Sequence, residues 1–151
     1  MIRPIQINRR DLSKGRLRTW GGSVLEAAII VPVLVSLAFG MAEFSYFFFV
    51  KHTLEGAARE GARNAITPTA TNATATAAAT AQLTAAGGTG WGATIAITNT
   101  SGTAINVSGL AAGTAIQVEC SCTWSTVGVH PLGIIPGSKL VVGTCVMRKE
   151  G

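Results

Sequence analysis

Residues 21–26 read GGSVLE, and they are followed at once by residues 27–50, AAIIVPVLVSLAFGMAEFSYFFFV. An apolar run of 24 residues is long enough to cross a bilayer about 30 Å thick as an α-helix. The next residues, KHTLE, continue the run as a charged helix and contain no small-x-small site for signal peptidase. We therefore predict that residues 27–50 form a transmembrane segment that stays in the protein.

Positive charge is concentrated in front of this segment. The chain carries 12 Lys and Arg against 7 Asp and Glu, and six of the basic residues fall within the first twenty positions. A short basic stretch beside a span stays in the cytoplasm, so the residues after the span are predicted to be exported. No aromatic residue is interleaved with these six charges, and no binding motif follows them, so nucleic acid is not expected as a partner.

One long helix is predicted to run from the glycine pair into the exported part. Between residues 22 and 65 the only strong helix breaker is Pro32, which a membrane helix tolerates, and Thr67-Pro68 ends the pattern. We predict a basic cytoplasmic leader over residues 1–21, a helix over 22–65 and an extracytoplasmic domain over 66–151.

The outer part of this helix is rich in charge pairs and in small residues. Two i,i+4 or i,i+3 ion pairs are predicted, Glu55 with Arg59 and Glu60 with Arg63. Glycines inside the same stretch cost about 1 kcal/mol each relative to alanine. They indicate either a close approach to another protein element or small residues that fit under the chain's own domain, and both interpretations remain open.

The exported part is predicted to form a small α+β domain. Its Thr/Ala-rich segment 67–89 favours a short helix capped by Asn72 and closed by Gly87-Gly88, with a low-complexity linker as the alternative. Alternating β-branched residues then predict strands over 94–98, 104–108, 115–124 and 139–147. An antiparallel sheet packed on the outer part of the long helix is the expected architecture.

Four blocks of this sequence resemble the TadE-like family of pilus-assembly proteins: Gly21-x-x-x-x-Glu26, residues 32–34 (PVL), residues 39–44 (FGMAEF) and residues 54–63 (LEGAAREGAR). Residues 140–150 are similar to the closing strand of that family. The resemblance implies a type IV pilin-like fold and a minor pilin or pseudopilin of a bacterial tight-adherence (Tad/Flp) secretion system. It also implies a single pass through the inner membrane and cleavage by a prepilin peptidase on the cytoplasmic side.

The resemblance gives the glycine pair and Glu26 their roles. Cleavage after Gly21 makes Glu26 the fifth residue of the mature chain, as in pilins; cleavage after Gly22 is the alternative. The Glu26 carboxylate would then pair with the new terminal ammonium of Gly22 or with that of a neighbouring subunit, because an unpaired charge in an apolar setting is costly. A hydrated Glu26 at the membrane surface is the other interpretation.

A second carboxylate, Glu43, falls within the predicted span. Ser36 and Gly40 lie on its helix face at i−7 and i−3, and together they form a small-xxx-small step that lets two helices touch. We predict that this face contacts another pilin-like subunit or the inner-membrane assembly platform. Two alternatives remain, in which Glu43 reaches the outer interface or is protonated.

Cys120 or Cys122 could form a disulfide with Cys145 outside the inner membrane, which leaves at least one thiol unpaired.

No catalytic or metal site is expected. The sequence has two His residues and no cluster of zinc ligands. Since it also lacks a phosphate loop and a nucleophile-base pair, we predict neither a cofactor nor catalytic activity.

The sequence therefore supports two functions. The first is a membrane-anchored minor pilin that, after processing, takes part in pilus assembly and can itself enter the pilus. Its partners would be other pilin-like subunits, the prepilin peptidase, the assembly platform and the lipid bilayer. The alternative is a single-pass binding module, neither processed nor polymerised, whose helix only tethers an exported domain.

Overall fold

The structure, a computed structural model, describes residues 20–128 and 130–150. Two α-helices and one small sheet are the main elements of this part of the chain. The elements in chain order are α1 (Trp20–Ala65), α2 (Asn72–Ala85), β1 (Thr94–Thr98), β2 (Ala115–Thr123) and β3 (Leu140–Arg148). The strands form one antiparallel sheet in the order β1-β2-β3. This confirms the predicted α+β fold with a long N-terminal helix.

The chain divides into two compact units, one ending at Phe39 and the other beginning at Gly40. In the first unit, α1 exposes every residue from 22 to 39. Helix Gly22–Ala65 is long and apolar enough to cross a membrane, which is compatible with single-pass anchoring. Residues 1–19 of the predicted leader lie outside the described residues.

The second unit is built on the outer part of α1. Helix residues spaced three or four apart are fully buried, among them Val50, Leu54, Ala57, Ala58, Ala62 and Ala65. Strand β2 buries every second residue, namely Ile116, Val118, Cys120 and Cys122. These two periodicities are those of a helix and a strand that each bury one face, and α2 adds Ala75, Ala79 and Leu83 to the same core.

The sheet comes closest to α1 at Gly143 in β3. A Cβ at this position would lie 2.3 Å from the amide nitrogen of Glu55 and 2.4 Å from the carbonyl carbon of Leu54. Both are backbone atoms of a regular helix, so they cannot move aside as the end of a side chain could. Only glycine fits here without separating the sheet from the helix.

The two glycines in the outer part of α1 differ. A Cβ on Gly61 would lie 3.1 Å from the Cβ of Ala79 and 3.2 Å from Cγ1 of Val118, whereas a Cβ on Gly56 would meet no atom of the described residues within 4 Å. The chain's own domain therefore accounts for Gly61. It gives no packing reason for Gly56.

Helix α2 is capped by Thr71, so the prediction that Asn72 is the cap was wrong. The Thr71 hydroxyl accepts the Thr74 N–H at 3.2 Å, and the Thr74 hydroxyl accepts the Thr71 N–H at 3.0 Å, which makes a reciprocal capping box. The Asn72 amide instead donates to the Ile105 carbonyl at 2.7 Å and accepts from the Val107 N–H at 2.8 Å.

This use of Asn72 also explains why residues 104–108 do not form the predicted strand. Ala104 makes only an isolated bridge to Thr98. The Ile105 N–H group still donates to the Ile97 carbonyl of β1 at 3.3 Å. The Ile105 carbonyl and the Val107 N–H group, which a longer strand would need for pairing, are bonded to the Asn72 side chain instead. The other three predicted strands are confirmed to within one residue at each end.

Candidate functional site

The glycine pair and Glu26 lie in the first two turns of α1. The helix begins at Trp20, so Gly21, Gly22 and Glu26 are all helical, and both Gly22 and Glu26 are exposed. Residues at i and i+4 are neighbours on a helix surface. If the chain is cut after Gly21, the new ammonium of Gly22 and the carboxylate of Glu26 therefore lie one turn apart.

Ser36 satisfies its hydroxyl within its own helix. The Oγ donates to the Pro32 carbonyl at 2.8 Å, and the residue is exposed. The small side chain therefore leaves the helix surface open at this level without an unpaired polar group. A contact of Ser36 with another subunit stays a prediction.

Glu43 is buried by a loop of its own chain. It is 1% exposed, and its Oε1 accepts the Ile135 N–H at 2.9 Å while its Oε2 accepts the Leu132 N–H at 3.3 Å. Both amides belong to the connection between the turn Trp124–Thr126 and β3. This intrachain partner was not among the alternatives that the sequence suggested. The two amides follow Glu43 by 89 and 92 residues, and no sequence pattern links residues so far apart.

Gly40 lies beside the same loop. It is buried, and a Cβ at this position would lie 3.4 Å from Cδ1 of Ile134. The glycine thus lets the loop lie close along α1 in the turn that precedes Glu43. Contacts of Gly40 and Glu43 with another subunit remain predictions, and any such subunit would meet the helix with this loop already in place.

Aromatic rings fix the start of the loop against α1. Trp124 is fully buried, and its ring lies 5.3 Å from that of Phe47, 5.9 Å from that of Tyr46 and 5.2 Å from that of His130. Such centroid distances are typical of tilted aromatic pairs, which add stability beyond the apolar area they bury. The sequence pattern places Trp124 at the end of a predicted strand and gives no sign of this role.

The three cysteines are free thiols in the structure. Burial raises the pKa of Cys120 to about 11 and also raises that of Cys122. Cys145 stands opposite Val118, and Cys120 stands opposite Gly143, so Cys120 and Cys145 are diagonal neighbours about 7–8 Å apart. A disulfide needs Cα atoms closer than about 7 Å. The predicted bond therefore requires the strands to shift, and Cys120 is the nearer of its two candidate partners.

Lys149 ties the end of β3 to the end of α1. It is only 5% exposed, and its Nζ donates to the carbonyl of Ala65 at 3.3 Å and to that of Thr67. The backbone N–H of Glu150 adds a bond of 3.0 Å to the Ile66 carbonyl. A cation at the C-terminus of a helix satisfies unpaired carbonyls and complements the helix dipole. No sequence pattern predicts this contact either.

Both predicted ion pairs are present on the outer part of α1. The Arg59 and Glu55 side chains approach to 3.8 Å and those of Arg63 and Glu60 to 2.9 Å, and Lys51 lies 3.6 Å from Glu55. Each pair is partly exposed and adds a few tenths of a kcal/mol at most. These charges mark the part of α1 that requires an aqueous surrounding.

The comparisons with known proteins concern α1. The family model described as TadE-like protein matches residues 21–63. No curated protein and no solved structure matches the chain. The family match confirms the resemblance inferred for residues 21–63, which include the glycine pair, Glu26, the apolar segment and the charged outer helix. The resemblance of residues 140–150 to the closing strand of the family stays a prediction.

Proposed function

Because residues 21–63 match the TadE-like family, we propose that the chain is a membrane-anchored minor pilin or pseudopilin that takes part in the assembly of a tight-adherence, type IVc-like pilus. The family match is the observation that carries this proposal. A prepilin peptidase cuts after Gly21 at the cytoplasmic face of the inner membrane. The mature chain keeps α1 as its single span, with the domain on the far side.

The proposed mechanism is structural and not catalytic. Glu26 is the fifth residue of the mature chain, and its carboxylate pairs with the terminal ammonium of Gly22 in its own chain or in a neighbouring subunit. This ion pair sets the axial position of one helix beside another. The exposed apolar side chains of residues 22–39 contact lipid before assembly. They contact other pilin-like subunits once the assembly platform has moved the chain into a filament.

Piliation of the cell that encodes the chain tests this function. Deleting the gene should abolish or sharply reduce the yield of sheared filaments, and the wild-type gene should restore it. A Glu26→Leu gene should fail to restore it although its product is present in the membrane. Glu119→Gln, an exported carboxylate at the middle of β2, serves as the matched control and should restore piliation. Normal filament yield after deletion would contradict the proposal and favour the tethered binding module.

A further inference from the structure

The loop that covers Glu43 carries two large apolar side chains on its outer surface. Leu132 is 43% exposed and Ile134 is 50% exposed. Residues 130–138, HPLGIIPGS, contain no Asp, Glu, Lys or Arg. An uncharged loop that exposes two neighbouring aliphatic side chains to solvent is unfavourable in water, so its surroundings in the working protein require an explanation.

The contacts of the loop place it along a defined stretch of α1. Leu132 and Ile135 donate their N–H groups to Glu43, and Ile134 lies against Gly40. The exposed aliphatic side chains of the loop are thus at the level of residues 40–43. Phe44, which follows Glu43 in α1, is apolar and 46% exposed at the same level.

Aromatic residues of α1 show where this level lies relative to a membrane surface. Tyr46, Phe48 and Phe49 follow residue 43, and Lys51 is the first basic residue after them. Tyrosine and tryptophan are enriched at the membrane–water interface, whereas phenylalanine also favours the hydrocarbon, so Tyr46 and Lys51 are the interface markers of this stretch. Gly40 precedes Tyr46 by six residues, or about 9 Å along the helix axis, so it lies on the hydrocarbon side of Tyr46.

Four of the six residues of the loop 131–136 expose no free N–H group. Irregular backbone is excluded from hydrocarbon unless its N–H and C=O groups have partners within the protein. Pro131 and Pro136 have no N–H group. The N–H groups of Leu132 and Ile135 are taken by Glu43, and this carboxylate in turn obtains the donors that a charge near a bilayer needs.

We infer that residues 131–136 form a membrane-inserted loop, in which Leu132 and Ile134 contact the acyl chains of the outer half of the bilayer and Glu43 holds the loop against α1. The lipid bilayer is the occupant of this surface because residues 40–43, along which the loop lies, belong to the apolar segment 27–50 that is predicted to cross the membrane. This inference rests on the anchoring of α1 and does not depend on processing or pilus assembly.

Nitroxide labels test the inference in the full-length chain reconstituted into phosphatidylcholine vesicles. Labels are placed at Leu132→Cys and, separately, Ile134→Cys in a Cys145→Ser background, where the remaining thiols are buried. Collision with oxygen, which concentrates in lipid, is compared with collision with a water-soluble nickel chelate. Phe44→Cys is the lipid-exposed control, and Ser101→Cys, in an exposed turn, is the water-exposed control.

We expect the oxygen-to-nickel ratio at both loop positions to match that at Phe44→Cys and to exceed that at Ser101→Cys. A ratio equal to that at Ser101→Cys would overturn the inference. So would a label that neither reagent reaches, which would show that protein covers the loop. A further label at Leu34→Cys separates the two levels of failure, because a water-exposed label there means that the helix itself is not anchored. Near-UV circular dichroism confirms the fold of each variant, and the two loop positions are read independently.

Discussion

The close contact of β3 with α1 predicts a large loss of stability on replacing Gly143 by alanine. The new Cβ would lie 2.3 Å from the Glu55 nitrogen, whereas ordinary contact begins at 3.4 Å, so strand and helix must separate by about 1 Å. Overpacking of this kind typically costs 1–3 kcal/mol and occasionally more. A gap of about 1 Å also forfeits a quarter to a half of each dispersion contact across the interface, so we expect Gly143→Ala to cost about 3 kcal/mol.

Gly56→Ala is the matched control. Among residues 20–128 and 130–150, nothing lies within 4 Å of the added Cβ, so the variant should gain up to about 1 kcal/mol from helix propensity. Thermal unfolding of the full chain in one detergent, followed by near-UV circular dichroism of Trp91 and Trp124, measures both variants. A loss of about 3 kcal/mol lowers the Tm by about 12 °C or more for a domain of this size. If Gly143→Ala has the same Tm as the wild type, β3 does not lie this close to the backbone of α1.

Three further predictions concern other contacts. Removing the buried cation with Lys149→Met should cost about 1–3 kcal/mol because it leaves carbonyls at the end of α1 without a donor, whereas the exposed Lys139→Met should change the Tm by no more than experimental error. Thr71→Ala should cost about 1 kcal/mol by removing the capping box of α2, and an unchanged melting curve would show that the cap is not formed in solution. Because burial raises the pKa of Cys120 to about 11, its thiol should react with maleimide more slowly than that of Cys145 at pH 8, and its rate should rise as the pH approaches 11, where the thiolate forms. Equal rates at pH 8 would contradict the burial of Cys120. A count of one thiol in the denatured chain would show that the disulfide forms.

Elements with a strong local pattern were predictable from the sequence. The end of α1 follows from Thr67-Pro68, and β2 follows from strict alternation of apolar and polar residues over 116–123. Helix α2 was predictable from its alanines, although its cap was shifted by one residue. Thr71 and Asn72 are both good capping residues, and only the position of residues 105 and 107 in the fold assigns Asn72 to a different partner.

Contacts between distant segments were not predictable. The pairing of Glu43 with the amides of Leu132 and Ile135 joins a helix to a loop about ninety residues later in the chain, and backbone N–H groups are the same in every sequence. Lys149 had no distinguishing pattern either, since a lysine at the end of a strand usually faces water. In both cases a charged side chain was visible in the sequence, but its partner was a backbone group that only the folded chain identifies.

The intact mass of the chain purified from membranes, with and without a prepilin peptidase from the same cell, tests the central claim most directly. The proposal predicts loss of residues 1–21 in the presence of the peptidase, and no loss with an inactive peptidase or with Gly21→Val. A loss of residues 1–22 would move the cut to Gly22 and keep the pilin assignment. A full-length chain under both conditions would contradict the account of this protein as a processed pilin-like subunit.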